Sequence, residues 1–317
     1  MQVTDSSLAL LELGKALQRA CYEFVTVTPA THHRIARRGE QRVANAASLR
    51  DVFGWNHPFA PGALDPGLRR LLAAAGALES QGERLRSRVR FSTLGGRLFA
   101  HSGFPTEGAD AVFFGPDTYR FCALLQRWAP TAKRLVDVGC GSGAGGICLA
   151  GRAESLVLSD IGPRALEFAR INLMLNGCAA EVVQSDVLAA VSGDVDLVIS
   201  NPPYLRDPAG RLYRDGGGDH GEALAIRIVD EALRRLGSDG TLILYTGAPV
   251  VDGIDRFFRA VEPRLVEAGA TYVYEELDPD VFGEELDQPA YASVERIAAV
   301  GLRAWWASPH RCHARHD

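Results

Sequence analysis

From about residue 134 onward the hydrophobic positions of the chain fall into a repeating alternation. Short apolar runs rich in β-branched residues occupy 134–138, 156–159, 180–184, 195–200 and 241–245. Between several of them the apolar positions recur with helical spacing. The segment 163–176 carries the punctuation of a helix, with Pro163 in its first turn and Gly177 just past its end. Such alternation predicts βαβ units and a parallel sheet covered on both faces. Two further runs, 271–277 and 294–301, are separated by an acidic stretch without helical period and predict an antiparallel pair closing the sheet. The expectation is an α/β fold, a seven-stranded, mostly parallel Rossmann-like sheet with an antiparallel last strand.

The first 110 residues read differently. Helical spacing covers roughly 6–25, 43–53 and 66–76, and two strand-like runs, 88–93 and 97–102, meet at Leu94-Gly95-Gly96. Helices followed by a hairpin predict a smaller helical, winged-helix-like N-terminal domain over 1–110, ahead of the α/β domain over 111–317. The basic stretch 32–42 is open to two readings: a nucleic-acid contact, or arginines that simply solvate a helical face. The tail 308–317 holds three histidines and a cysteine and reads as a frayed terminus rather than a metal site.

Composition narrows the classes. With 47% hydrophobic and 23% charged residues the chain is of ordinary globular type. No run of eighteen apolar residues exists, so no membrane partner is expected. The opening residues read as an amphipathic helix rather than a signal peptide, which makes the cytoplasm the expected compartment. Six scattered cysteines form no CxxC pair, so reduced thiols and no metal are expected. The net charge of −5 divides into +4 over residues 1–110 and −9 over 111–317. That balance lacks the strongly basic surface of a dedicated nucleic-acid binder.

The chemistry begins at Leu135-Val-Asp-Val-Gly-Cys-Gly-Ser-Gly-Ala-Gly-Gly146, a strand that runs into a glycine-rich turn opening a helix. Glycines there permit positive φ and bring backbone amides close to a ligand. A lone GxGxG is also compatible with a dinucleotide site. Asp137 lies inside the strand, an expensive place for a carboxylate unless a cation or a donor meets it. Asp160 ends the next strand, 23 residues later, well placed to accept two ribose hydroxyls, and Asp186 ends the third. Each acid alone could be a helix cap; three at the carboxyl edge of one sheet point to a ligand.

Over roughly residues 111–302 the chain resembles the class I S-adenosylmethionine-dependent methyltransferases. The resemblance implies S-adenosylmethionine as cofactor, with Asp137, Gly139, Gly141 and Gly143 at its methionine part, Asp160 on the ribose and Asp186 at the adenine. Ile161 and Val187 complete that set.

The fourth strand ends in Asn201-Pro-Pro-Tyr204. Two prolines remove amide donors and stiffen the loop, so the Asn201 side chain and nearby carbonyls are held as acceptors. An NH₂ group meeting two fixed acceptors turns its lone pair toward a methyl donor. Tyr204 offers a flat face for a planar acceptor, and catalysis is mostly positioning. Asn201, Pro202 and Tyr204 are the expected catalytic residues, Asn201 also touching the cofactor. With these residues the resemblance narrows to the NPPY nitrogen methyltransferases, and to their HemK/PrmC-like glutamine methyltransferases in particular. Phe114-Gly-Pro-Asp-Thr118 stands where that group has an Arg-Pro-[Asp/Glu]-Thr-Glu segment beside the cofactor's methionine end, which adds Pro116 and Thr118.

Between the last two runs, residues 275–287 hold seven acids in thirteen positions. They form a solvated loop or, with Glu284, Glu285 and Asp287 turned inward, a clamp for a cationic substrate. The expected function is N-methylation of a planar side-chain nitrogen, either a protein glutamine or the amide or guanidine of an amino-acid-like small molecule such as arginine. The competing readings are an RNA or DNA base methylase and a non-catalytic cofactor-binding scaffold.

Overall fold

The computed structural model describes residues 4–39 and 48–306. The chain opens with four helices, α1 (Asp5–Arg19), α2 (Pro29–Gly39), α3 (Leu49–Phe53) and α4 (Pro66–Ala74), then two ladders, β1 (Leu78–Gln81) with β2 (Arg84–Ser87) and β3 (Val89–Leu94) with β4 (Arg97–Ser102). The α/β region follows as α5 (Pro116–Trp128), β5 (Ala132–Val138), α6 (Ala144–Leu149), β6 (Ala153–Asp160), α7 (Pro163–Leu175), β7 (Glu181–Gln184), β8 (Val195–Ser200) and α8 (Ala223–Arg235). It closes with β9 (Leu236–Val251), β10 (Ile254–Asp255), α9 (Arg256–Glu267), β11 (Thr271–Asp278) and β12 (Arg296–Trp305).

Local chemistry accounts for the helix starts. Thr4 caps α1 by accepting from the Ser7 amide at 3.2 Å, with Asp5 in the first turn and Arg19 in the last, as the helix dipole favours. Asp65 caps α4 ahead of Pro66, and Ser48 and Asp51 form a capping box on α3. Gly95 and Gly96, both at positive φ, make the two-residue turn between β3 and β4.

The central sheet runs β7-β6-β5-β8-β9-β12-β11, with β10 folded back on β9. Neighbours from β7 to β9 are parallel; β12 is antiparallel to both β9 and β11. The seven expected strands are all present, and the last is the antiparallel one. Strand alternation gives each face its own core. Leu135, Leu197, Ile199 and Tyr245 pack with α5, α6 and α7, whereas Val136, Val198, Leu242 and Leu244 pack with α8 and α9. The chain leaves β5 in one direction for β6 and β7 and returns to add β8 on the other side. The crevice at the carboxyl ends of β5 and β8 is therefore where an open sheet of this kind takes a ligand.

Of the N-terminal elements expected, helices and the β3–β4 hairpin are present, with differences. Helix α1 stops at Arg19, short of residue 25, and the expected helix at 43–53 is described only as Leu49–Phe53, residues 43–47 lying outside the described residues. The basic stretch forms α2, residues 40–42 of it and the tail from 307 also lying outside. The β1–β2 hairpin was not expected, because its charge-rich sequence has no apolar alternation.

These N-terminal elements share a core with α7. Leu166, Ala169 and Leu173 of α7 face the sheet, while Ala165, Phe168, Ile171 and Leu175 pack with Leu13, Leu17 and Phe91. A helix apolar all round is a buried one. Its two asparagines pair with strand β4. Asn172 accepts from the Ala100 amide (2.7 Å) and donates to the Ala100 carbonyl (2.9 Å), and Asn176 does the same with Leu98 at 3.3 and 2.9 Å. Asn172 also donates to the Ser142 carbonyl of the glycine turn at 2.9 Å.

Asn172→Ala leaves an amide and two carbonyls unpaired in a closed interface, so we expect a loss of about 2–4 kcal/mol in urea unfolding. Asn176→Ala, nearer solvent, is expected to cost about 1 kcal/mol. A loss below 1 kcal/mol for Asn172→Ala would show that these bonds do not hold the two regions together.

Candidate active site

The glycine turn leaves β5 with Gly139, Gly141 and Gly143 all at positive φ. A Cβ on Gly139 or Gly141 would meet nothing within 4 Å, so both point into open cavity. Two carboxylates fix the turn. Asp137, 2% exposed, accepts from the Gly146 amide at 2.8 Å. Asp160 accepts from the Gly141 amide (2.9 Å) and the Gly162 amide (2.8 Å), tying the end of β6 to the turn.

Burial pushes Asp137 up to about 7 against the bond from Gly146, with the nearby Asp160 adding to the rise. Burial likewise raises Asp160, opposed by the amides of Gly162, Gly141 and Ile161. Asp137 thus sits at the cavity wall with a single donor and no cation. The pair fits the expected cofactor, whose ammonium and ribose hydroxyls would supply what the carboxylates lack.

Thr118, Asp137, Gly139, Gly141, Asp160, Ile161, Asp186, Val187, Asn201, Pro202 and Tyr204 all line one cavity. Pro116 and Gly143 do not reach it: Pro116 starts α5 and Gly143 caps α6. Asp186 is turned mostly to solvent and pairs with Arg227 at 2.7 Å. Val187 holds φ 53°, a left-handed conformation that is uncommon for a β-branched residue and is stabilised here by burial at the cavity wall.

Tyr204 departs from expectation. Rather than offering a flat face, its ring is 6% exposed and lies so close over Gly247 of β9 that a Cβ there would approach it to 2.2 Å. Its edge-on neighbours are Tyr245 and Phe282, with ring centroids at 6.5 and 5.8 Å. Its hydroxyl is buried without a hydrogen-bond partner. Asn201 is half-buried, and its side chain bonds to no other described residue.

The acidic stretch also departs from the inward reading. Glu284 and Asp287 are exposed, and Glu285 is buried against Arg214 and Gln288; none of the three lines the cavity. Glu285 faces Arg214 and stays outside the cavity, so it is not placed to clamp a cation there. The loop does reach the cavity, but through Phe282, at φ 56°.

Several wall residues were not legible beforehand. Asp117 and Phe121 enter from α5, Phe113 from the linker, and Leu212, Tyr213 and Arg214 from the loop after the NPPY motif. That loop is held by a fork of Arg211 on Asp207, with both bonds at 2.7 Å. The Tyr213 hydroxyl bonds to the Thr106 carbonyl at 2.6 Å, and its ring stacks on Phe113. Among the described residues no three His, Cys, Asp or Glu side chains are placed to hold a metal, and no helix is long and apolar enough to cross a membrane.

The Asp137 carboxyl ionises in the folded chain near 7, above its ordinary 3.8. Its neutral form therefore contributes stability that is complete below about pH 4 and lost as pH rises through about 7. Asp137→Asn removes that loss, so the stability of the ligand-free variant relative to the parent should rise between pH 5 and pH 8 by at most about 3 kcal/mol. Thermal melts at the two pH values check this, and a difference independent of pH would contradict it.

Residues 122–272 match the family described as the methyltransferase small domain. The chain is 35% identical over 156 residues to the ribosomal RNA small subunit methyltransferase C of Enterobacter sp. (strain 638), covering 48% of this chain and 42% of that protein. It is 32% identical over 179 residues to the release factor glutamine methyltransferase of Deinococcus radiodurans, covering 51% and 63%. Among solved structures, the M. jannaschii tRNA m1G37 methyltransferase aligns with a TM-score of 0.48 at 16% identity, over 70% of this chain and 57% of that one. The chain thus spans less than two thirds of each of these proteins. Residues 122–272 belong to the methyltransferase small domain family, within the class I S-adenosylmethionine-dependent methyltransferases.

Proposed function

We propose that the chain transfers a methyl group from S-adenosylmethionine to a planar nitrogen, either a protein glutamine amide or the amide or guanidine of an amino-acid-like small molecule. The observation that carries this reading is the Asn201-Pro-Pro-Tyr204 turn at the carboxyl end of β8, opening into the same cavity as the glycine turn and its carboxylates. The cofactor, when bound, supplies an electrophilic methyl group. The chain's own residues bind, orient and exclude water. Asp137 and Asp160 would hold the ammonium and the ribose. Asn201, bonded to no other described residue, can accept from an incoming NH₂ and fix its direction. Tyr204 lines the same cavity, and its hydroxyl, which makes no hydrogen bond within the described residues, would be available to an acceptor's polar atom.

An RNA base is the second reading. It is favoured by α2, whose Arg34, Arg37 and Arg38 are exposed, share one face and form no ion pair with any described residue. Labelled methyl transfer to release factors, free amino acids and RNA would separate the two. Transfer to RNA alone, with binding that weakens steeply in salt, would replace the first reading by the second.

Asn201→Ala is expected to lower kcat about a hundredfold while changing cofactor Kd less than about threefold. Because Tyr204 is packed on Gly247, its alanine variant would lose stability, and Tyr204→Phe is the informative change. It should leave the fold and cofactor affinity intact and lower kcat about tenfold. Loss of cofactor binding with an unchanged saturated rate, in either variant, would contradict these roles. Asp160→Ala should instead weaken the cofactor by about 1–3 kcal/mol, as measured by calorimetry.

A further inference from the structure

We propose that Asp117 is the residue by which this site distinguishes a positively charged sulfonium donor from its neutral thioether product. The inference rests on the S-adenosylmethionine reading above and assigns the donor a second carboxylate beside Asp137.

Asp117 stands in the first turn of α5, is 3% exposed and lines the cavity. One oxygen, Oδ1, accepts both the Tyr245 hydroxyl at 2.6 Å and the Arg120 guanidinium at 3.1 Å. The Tyr204 hydroxyl also faces this carboxyl. Arg120 is itself shared with Asp278 at 2.8 Å and reaches solvent, so its charge is already partnered from the far side.

The order of groups along this wall locates Asp117 relative to the chemistry. Phe121, one turn further along α5, touches the glycine turn: a Cβ on Gly145 would lie 2.6 Å from its ring and 3.1 Å from Asp137 Oδ2. At the other end Tyr245, bonded to Asp117, lies edge-on to Tyr204 of the NPPY turn. The sequence along the wall is therefore Asp137, Phe121, Asp117, Tyr204. A donor held with its ammonium at Asp137 and its methyl group toward Asn201 and Tyr204 would have its sulfur on the stretch of wall that Asp117 occupies.

Charge then decides the selectivity. In the transfer the S–CH₃ bond breaks and the N–CH₃ bond forms. The broken bond's electron pair stays on sulfur, which becomes a neutral thioether, and the acceptor nitrogen gives up a proton to solvent. A buried carboxylate beside the sulfur attracts the donor and is indifferent to the product. It thereby favours loading and release over product inhibition.

The test is the calorimetric Kd of S-adenosylmethionine, S-adenosylhomocysteine and sinefungin, whose amine places a positive charge near the sulfonium position, for the full chain and for Asp117→Asn. The parent should favour the donor over the product about tenfold. Asp117→Asn should bring that ratio to about parity by loss of donor affinity, a change of about 1.4 kcal/mol, with the product's Kd nearly unchanged and sinefungin following the donor. Equal losses for donor and product, or a preserved ratio, would overturn the proposal. Arg120→Gln, at a partly exposed position, removes the competing cation and should widen the donor preference about threefold even if Asp117→Asn fails to fold. An unchanged or narrowed ratio there would also overturn it. If the parent binds none of the three ligands, the cofactor reading itself fails; if it binds all three and the ratios do not respond, only the role of Asp117 fails.

Discussion

The site depends on the clamping of one glycine turn by two carboxylates from neighbouring strands. Asp137 near the end of β5 takes the Gly146 amide, and Asp160 at the end of β6 takes the Gly141 amide. Because β5 and β6 run parallel, with Asp137 opposite Leu158, their acids arrive at the same edge without any long side chain reaching across. The turn is thereby held at both ends, and Asn172 holds its middle through Ser142. Removing water from Asp137 is costly, as its raised ionisation shows. On the reading proposed above, a bound ammonium would offset that cost.

The cavity roof follows a different logic. The loop after the NPPY motif has few apolar anchors and is shaped by ion pairs: Arg211 on Asp207, Arg214 on Glu285, and Arg206 on Asp215. Such pairs add little net stability but fix one arrangement among many. The glycines downstream serve the same end. A Cβ on Gly221 would come within 2.3 Å of the Tyr204 carbonyl, and one on Gly216 within 1.9 Å of the Gly221 carbonyl, so the backbone can pass beneath the motif only as glycine.

What the sequence discloses and what it conceals follow from this division. The sheet was legible because burial on both faces imposes continuous apolar runs, and the glycine turn because its conformation restricts residue type. Asp137, Asp160 and Asn201 were legible because each ends a strand, and strand ends converge on one edge. Tyr204 was found but its orientation was not, since the packing that turns it inward comes from Gly247, more than forty positions away. The acids of 284–287 misled for a related reason: local charge density carries no sign of Arg214, which faces Glu285 from a different loop. Asp117 escaped notice because a carboxylate in the first turn of a helix is ordinary there. What sets it apart is its burial and the bond from Tyr245, 128 positions on.

The N-terminal region is bound to this machinery too closely to act as a tethered module. Helix α7 offers one face to the sheet and the other to the N-terminal core, and its asparagines complete the hydrogen bonding of β4 as an added strand would. The linker that follows β4 contributes Phe113 to the cavity wall and, through Thr106, anchors Tyr213 of the roof. A molecule recognised on the first hundred residues would therefore meet the cavity at a fixed distance and angle. On the reading proposed above, rigid registration of this sort would suit a reaction in which an acceptor nitrogen must arrive with its lone pair already aimed.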